Sequence, residues 1–331
     1  MRSLRVNWLL GAALAAAAMT SVQVAQAQEE KKPAATDAKD DKPEDPIFRL
    51  GLDAVFGSSS TPVVTGVVQP ATTGGMLGVT TPPENHRVTS YSFLVQGGVK
   101  LTEGFGISAR VPLVAGTIFG DPQRGDGTLG AIDVSADGRL KLADNMTLHL
   151  SLGISLPTAE GVQLPTAAQI AAGTEIVQGA IDQSNYDRFT ILRASSMARG
   201  YEDDELFQPA HLGINPKVAL TIGTEGKWRI EPWIKLDNLI ATNSSYSFID
   251  ELIFGANFGY HFAEPIEGVV RVWGNVPITG ADFSSAVAVV EPQLRLHFGP
   301  VDPYVGGVLP IAGPIANPYD FGVRVGITAN F

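Results

Sequence analysis

"TLHLSLGISL" (Thr147–Leu156) sets Leu148, Leu150, Leu152, Ile154 and Leu156 against His149, Ser151, Gly153 and Ser155. Successive side chains of an extended chain point to opposite faces, so this alternation makes a strand with one apolar and one polar face. Two further stretches repeat the pattern. "FRLGLDAVF" (Phe48–Phe56) sets Phe48, Leu50, Leu52, Ala54 and Phe56 against Arg49, Gly51 and Asp53. "GAIDVSADGRLKL" (Gly130–Leu142) sets Ile132, Val134, Ala136, Leu140 and Leu142 against Asp133, Ser135, Asp137, Arg139 and Lys141. Such runs exceed the usual globular strand of about 5–6 residues. They match the roughly 9–11 residues of a tilted membrane strand.

The same reading predicts twelve strands, near 47–56, 88–101, 104–114, 129–142, 147–156, 209–222, 227–238, 250–262, 267–276, 286–298, 302–311 and 320–331. Connections after the even-numbered strands are tight: "TEG" (102–104), "ADNM" (143–146), "TEGK" (224–227), "AEPIE" (263–267) and "GPVD" (299–302). Connections after the odd-numbered strands are long, above all 57–87 and 157–208. Short periplasmic turns alternating with long external loops organise a transmembrane antiparallel up-and-down β-barrel, an all-β fold. Fragments "VPLVAG" (111–116), "LPTAEG" (156–161), "VPITGA" (276–281) and "LPIAGP" (309–314) end four of the upward strands, where proline suits a rim at which pairing stops. Pro216, Pro232 and Pro292 fall inside predicted strands and are expected at bulges.

In lipid the apolar face points outward, with Tyr91, Phe93, Trp228, Phe258, Tyr260, Phe262 and Phe298 as interfacial aromatics. By phase the lumen then receives Arg49, Asp53, Lys100, Arg110, Asp133, Asp137, Arg139, Lys141, Lys217, Arg229, Glu231, Lys235, Asp237, Glu251, Glu291, Arg295 and Arg324. A soluble sandwich core does not bury so many charges, because each unpaired one is costly. The ninth strand, "VVRVWGN", is ambiguous in phase, so Trp273 is left unoriented. His149, His211, His261 and His297 also take the inward phase. They come from different strands, barrel width is expected to hold them apart, and no metal site is expected.

The N-terminus carries Arg2 and Arg5, then an uncharged apolar stretch (Trp8–Met19), then Ala25-Gln26-Ala27. This is the pattern of a secretory signal peptide, residues 1–27, cleaved after Ala27. Residues 28–46, "QEEKKPAATDAKDDKPEDP", read as a disordered charged periplasmic tail ahead of a barrel over 47–331. The chain is 17% charged, with formal net charge -11 and no cysteine. The acidic balance argues against a nucleic-acid partner. The missing thiols exclude a disulfide framework and a cysteine nucleophile.

Within 157–208, "TAAQIAAGTEIVQGAI" (166–181) is Ala-rich behind a Thr166 N-cap, and a short helix is expected there, folded into the barrel mouth or capping it. Arg188, Arg193 and Arg199 precede the acidic run Glu202, Asp203, Asp204 and Glu205, which reads as a surface charge network or a gate.

The last eight residues, "RVGITANF" (Arg324–Phe331), resemble the C-terminal β-signal of bacterial outer-membrane proteins, with Arg324, Gly326, Ala329 and Phe331 at the matching positions. The stretches "TLGAIDVSADGRLKL" (128–142) and "ISLPTAEG" (154–161) resemble strands of the outer-membrane channel family found in phenol-degradation operons. The resemblance implies a transporter of small compounds in the bacterial outer membrane, with Ala131 standing where an Asp is common. It implies outer-membrane lipid, the barrel-assembly machinery and periplasmic chaperones as partners, small solutes as cargo, and no cofactor.

The functional expectation is a passive channel with a charged lumen, not an enzyme. The alternatives are a structural or adhesive barrel with a salt-bridged, closed interior, and an outer-membrane lipid hydrolase. The hydrolase needs Ser, His and an acid together, whereas His149 and Ser151 share the lumen face and no triad converges on them.

Overall fold

The computed structural model describes residues 47–63, 68–70, 77–79, 84–120, 123–159, 183–224, 226–242, 248–279, 286–313, 315–316 and 321–331. The expected signal peptide, the charged tail and the expected helix at 166–181 lie outside the described residues.

All twelve predicted strands form. They are β1 (Phe48–Val63), β4 (Glu84–Thr102), β5 (Phe105–Ile118), β7 (Ile132–Ala143), β8 (Met146–Leu156) and β9 (His211–Thr224), followed by β10 (Trp228–Ala241), β11 (Ile249–Ala263), β12 (Ile266–Pro277), β13 (Val287–Leu296), β14 (Val301–Ala312) and β15 (Phe321–Asn330). Each pairs antiparallel with its chain neighbour, and β1 pairs with both β4 and β15, so the sheet closes on itself. Closure leaves the barrel no free edge. Three short strands were not anticipated. Strands β2 (Val68–Pro70) and β3 (Leu77–Val79) pair with each other. Strand β6 (Arg124–Leu129) adds to the long-loop half of β5.

The seam follows the alternation. Arg49↔Asn330 through Ser58↔Phe321 pair in unbroken register. Leu50, Leu52, Phe56, Val325 and Ile327 are exposed on the outside, while Asp53, Val55, Arg324 and Thr328 are buried within. The outer surface is an apolar band on every strand, and Tyr260 and Phe262, stacked edge-on at 5.4 Å, are 57% and 68% exposed near the short turns. At the other end Phe56 packs edge-on against Tyr91 and Phe93. In water such a surface would be an aggregation site. Against lipid it is the expected exterior.

The internal prolines correct one expectation. Pro216, Pro232 and Pro292 do not sit at bulges: Leu152↔Pro216, Pro232↔Ala256 and Val270↔Pro292 lie in continuous register. All three are exposed on the outer face, and pairing with the opposite neighbour strand is interrupted around them without a shift. A missing N–H removes ladder bonds on one side only, and the intact ladder on the other side keeps the count. Register shifts fall elsewhere, three of them beside short turns: Lys100/Thr102, Lys141/Ala143 and His261/Ala263.

Candidate functional site in the barrel lumen

Of the connection between β8 and β9, the described part from Gln183 onward lies inside the barrel. Helix α1 (Gln183–Ala198) packs Ile191, Leu192 and Ala194 against Val88, Leu94, Val114 and Ile118, which are inward residues of β4 and β5. Met197 joins Trp233, Ile253, Trp273 and Val289 on the opposite wall. Trp273 thus points inward, which settles the phase of β12. The wall is cut back to admit the helix: a Cβ on Gly57 or Gly322 would collide with Ala198. The N-terminal part of α1 is tied to β6 by Arg124–Asp187 at 3.3 Å and Arg188–Asp126 at 3.1 Å.

The helix stops at a tight reversal. The Gly200 N–H donates to Met197 O and the Tyr201 N–H to Ser196 O, with Gly200 at φ +67° and Tyr201 at φ +56°. This is the hydrogen-bond pattern of a Schellman turn, with glycine at the left-handed position. Trp273 Nε1 donates to Gly200 O at 2.9 Å and holds the reversal to the wall.

The reversal delivers Glu202–Glu205 into the lumen, where four strands present cations. Arg110 on β5 binds Asp133 of the wall at 3.1 Å, and Asp203 and Glu205 of the plug at 2.8 Å each. Lys235 on β10 holds Glu205 at 2.7 Å, Asp237 at 3.0 Å and the Glu202 carbonyl at 2.7 Å. Arg271 on β12 pairs with Glu202 and with Glu291, the latter at 2.9 Å. Arg324 on β15 reaches Glu202 at 3.2 Å, Glu291 at 3.0 Å and Asp53 at 3.5 Å. Arg199 closes the ring onto Asp53 at 2.5 Å and Asp203 at 3.2 Å, and Tyr304 donates to Asp53. Asp204 turns back to its own segment and accepts from Ser196 and from Gln208, the latter at 2.6 Å.

Electrostatics of the plug follow from these partners. Burial alone would raise Glu202, but the Arg271 and Arg324 guanidiniums outweigh it and lower its pKa to about 2. Burial opposes ionisation of Asp203 as well, yet Arg199 and Arg110 hold it below the usual carboxylate range. For Asp204 burial outweighs the hydrogen bonds from Ser196 and Gln208, neighbouring Glu205 adds to it, and the pKa is raised. Water exclusion makes each pair strong and each orphan expensive.

Among the residues placed in the lumen by phase, Asp53, Arg110, Asp133, Lys235, Asp237, Glu291 and Arg324 converge on this lock. Glu251 lies above it, accepting from Asn275 at 2.8 Å. Below it, toward the short turns, Lys217 sits over the Trp233 ring, and Glu231 accepts from Thr221 and Asn257. Arg229 pairs with Glu267, Arg295 donates to Gln293, and Asp137 accepts from Ser108 and Ser151. His149, Thr221, Arg229, Glu231 and Arg295 are half-buried, so these residues are more accessible than the buried lock. Arg49, Arg139 and Lys141 are exposed at the short-turn end, where Lys141 pairs with Asp144 of its own turn, and half-buried Lys100 lies near them.

Phase alone missed the plug's side of the lock. It also missed Arg271, because "VVRVWGN" places valine on both faces. His211 is buried beside Pro209 O at the far end, and His149 faces Thr221. The expected separation fails for His261 and His297, whose rings stack at 5.3 Å. Their strands are next-nearest neighbours, about 10 Å apart, which two imidazoles span.

On the long-loop side of the plug lies a cavity of about 460 Å³, lined by Phe189, Arg193, Tyr201, Glu251, Asn275 and Pro277 among others. It mixes aromatic faces with paired polar groups at the outer mouth.

No protein-family model and no curated protein matches the sequence. The structure is similar to that of an outer-membrane channel from Pseudomonas putida F1, at a TM-score of 0.50 and 12% identity, covering 90% of this chain and all of that one. The NanC porin aligns over 85% of this chain and 100% of its own, at TM-score 0.46 and 10% identity. At 12% identity the likeness to the Pseudomonas channel concerns fold alone, a closed antiparallel β-barrel with an apolar outer face.

Proposed function

We propose that the protein is an outer-membrane channel for small solutes whose lumen is closed by the inward-folded segment Gln183–Ala210 and opens when that segment is displaced. The observation that carries this reading is the acidic run Glu202–Glu205, gripped by cations from four separate strands. An apolar filling would stabilise a permanently shut barrel at least as well, since buried ion pairs barely repay their desolvation. Charges on both surfaces instead suit a contact that parts into water, because each wall cation keeps a wall carboxylate when the plug leaves. Those pairs are Arg110–Asp133, Lys235–Asp237, and Arg271 and Arg324 with Glu291. The cavity above the plug is the place where a solute meets it, and the half-buried polar residues below form the exit.

The filled interior also supports the structural barrel as a second reading. Planar-bilayer recording separates the two. Wild-type protein is expected to show rare, small openings, and Glu202→Gln/Asp203→Asn/Glu205→Gln is expected to raise open probability and step size. A folded triple variant as silent as the wild type would overturn the channel and favour the structural barrel.

A further inference from the structure

At the short-turn mouth, away from the plug, three potential ligands face one another: His261 on β11, Glu267 on β12 and His297 at the end of β13. Their nearest ligand atoms all lie within 4.8 Å of one another. His261 Nε2 is 3.9 Å from Glu267 Oε1, and His297 Nε2 is 3.4 Å from Glu267 Oε2.

Two further features point to a ligand. First, His297 Nδ1 lies 2.9 Å from Asp302 Oδ1, and Asp302 is steadied by Asn330 Nδ2 at 3.3 Å. A carboxylate behind one imidazole nitrogen fixes the proton there and turns the other nitrogen into a lone-pair donor, which is the usual support of a metal-bound histidine. Second, that other nitrogen, His297 Nε2, is buried with no hydrogen-bond partner among the described residues, and it points toward the other two groups. Buried polar atoms without partners are rare and mark a missing ligand or water. Glu267 is 1% exposed and is oriented by Arg229, whose Nε is 2.9 Å from Oε1 and whose Nη2 donates to Oε2 at 3.1 Å. Each carboxylate oxygen retains capacity for a further contact.

We propose that His261, Glu267 and His297 form a site for a borderline divalent cation of the zinc type at the short-turn mouth. Two imidazoles and one carboxylate select Zn²⁺, Co²⁺, Ni²⁺ or Cu²⁺ over Mg²⁺ and Ca²⁺, which prefer all-oxygen shells. Tetrahedral ligands at about 2.0–2.1 Å from a metal sit roughly 3.3 Å apart, so small side-chain rotations close the set. Three protein ligands leave a fourth position to water, which makes the site open and exchangeable. With two neutral imidazoles, the charges of Glu267, Asp302 and Arg229 sum to -1, and a divalent ion brings the cluster to +1. Bound metal would cross-link β11, β12 and β13 where two short turns meet.

Tag-free full-length protein, refolded in detergent and stripped with chelator, is titrated with Co²⁺. Expected are visible absorption bands of four-coordinate Co²⁺ saturating at one equivalent and displaced by Zn²⁺. His261→Ala and His297→Ala are expected to lose the bands. Asp302→Asn is expected to weaken binding about 10- to 100-fold through its loss of support, and His149→Ala and His211→Ala to bind as wild type. Folding of each variant is checked by heat-modifiable gel mobility. Absence of stoichiometric binding, or bands that persist in folded His261→Ala and His297→Ala, would overturn the site. In the first case His297 only bridges Glu267 and Asp302 as a structural contact, and in the second the metal sits elsewhere.

Discussion

Glu202 is the residue on which the plug's attachment turns. Its carboxylate meets Arg271 and Arg324, while both guanidiniums also hold Glu291 of the wall. Glu202→Gln therefore weakens the plug without orphaning a wall cation. Loss of one charge-assisted contact is worth about 1.5–3 kcal/mol, or roughly a ten- to hundredfold shift toward the open state in single-channel recording. Lys141→Gln, at an exposed turn pair, is expected to leave gating unchanged. Acid has a signed effect. Glu202 and Asp203 have lowered pKa values, so their contribution is intact above the unfolded carboxylate range and is lost as pH falls through the folded values. Asp204 is raised, so its protonation on mild acidification relieves a buried charge. Bilayer recordings should show the same rare openings from pH 8 to 5 and openings that increase only below about pH 4, toward the folded carboxylate values. Openings that increase between pH 7 and 6 would contradict the assignment. The wall side of this lock was legible in the sequence, because Arg110, Lys235 and Arg324 alternate strictly with apolar neighbours. The plug side was visible only as a charge run, and nothing local says whether such a run faces water or a ring of arginines.

Elements were legible to the degree that their stability is local. Strands such as Thr147–Leu156 announce themselves because lipid outside and polar groups inside impose period two. Helix α1 does not, since "QSNYDRFTILRASSMA" has no single apolar face and buries Thr190, Ser195 and Ser196 beside Ile191 and Leu192. Its surroundings on several sides hold it, and its terminus depends on one glycine. Gly200→Val places a β-branched residue at φ +67° against Trp273 and Val289. A left-handed conformation alone costs about 1–2 kcal/mol. The expected result is faster tryptic cleavage at exposed Arg193, with the barrel intact. Gly226→Val, equally left-handed at φ +69° but in open space, should leave cleavage at Arg193 unchanged. The C-terminal strand is the other element with a separable role. Phe331 O accepts from the N–H groups of Ile47 and Phe48, and its own N–H donates to Phe48 O, so the last residue closes the seam while its ring is 62% exposed. Deleting Phe331 should reduce membrane insertion, scored by heat-modifiable protein in outer-membrane fractions, more than Phe119→Ala at the long-loop end. Equal insertion would show that the terminal ring and its seam bonds are dispensable.

At the scale of the molecule, the barrel strands and the described plug are separate stretches of chain. Ala159 follows β8, Ala210 leads into β9, and the two are already neighbours, with the Ala210 N–H donating to Ala159 O at 3.3 Å. Residues 160–209 can therefore be replaced by a short glycine-rich link without stretching either strand. Excision removes Glu202, Asp203 and Glu205, but each wall cation keeps a wall carboxylate: Arg110 keeps Asp133, Lys235 keeps Asp237, Arg271 keeps Glu291, and Arg324 keeps Asp53 and Glu291. Water entering the lumen then solvates what the plug had covered, including Trp233 and Trp273. The closed ladder from β1 through β15 contains every backbone pairing that spans the membrane, so the excised protein is expected to fold and to migrate as a heat-modifiable barrel. Its conductance should be large, steady and independent of voltage and pH, whereas the intact protein is expected to open only rarely. Twelve strands enclose more width than the eight whose own side chains fill the interior, so an emptied lumen has room for solute. An excised barrel that folds but conducts no better than the intact chain would mean that the wall alone seals the pore. The ionic lock would then be a folding device, not a gate.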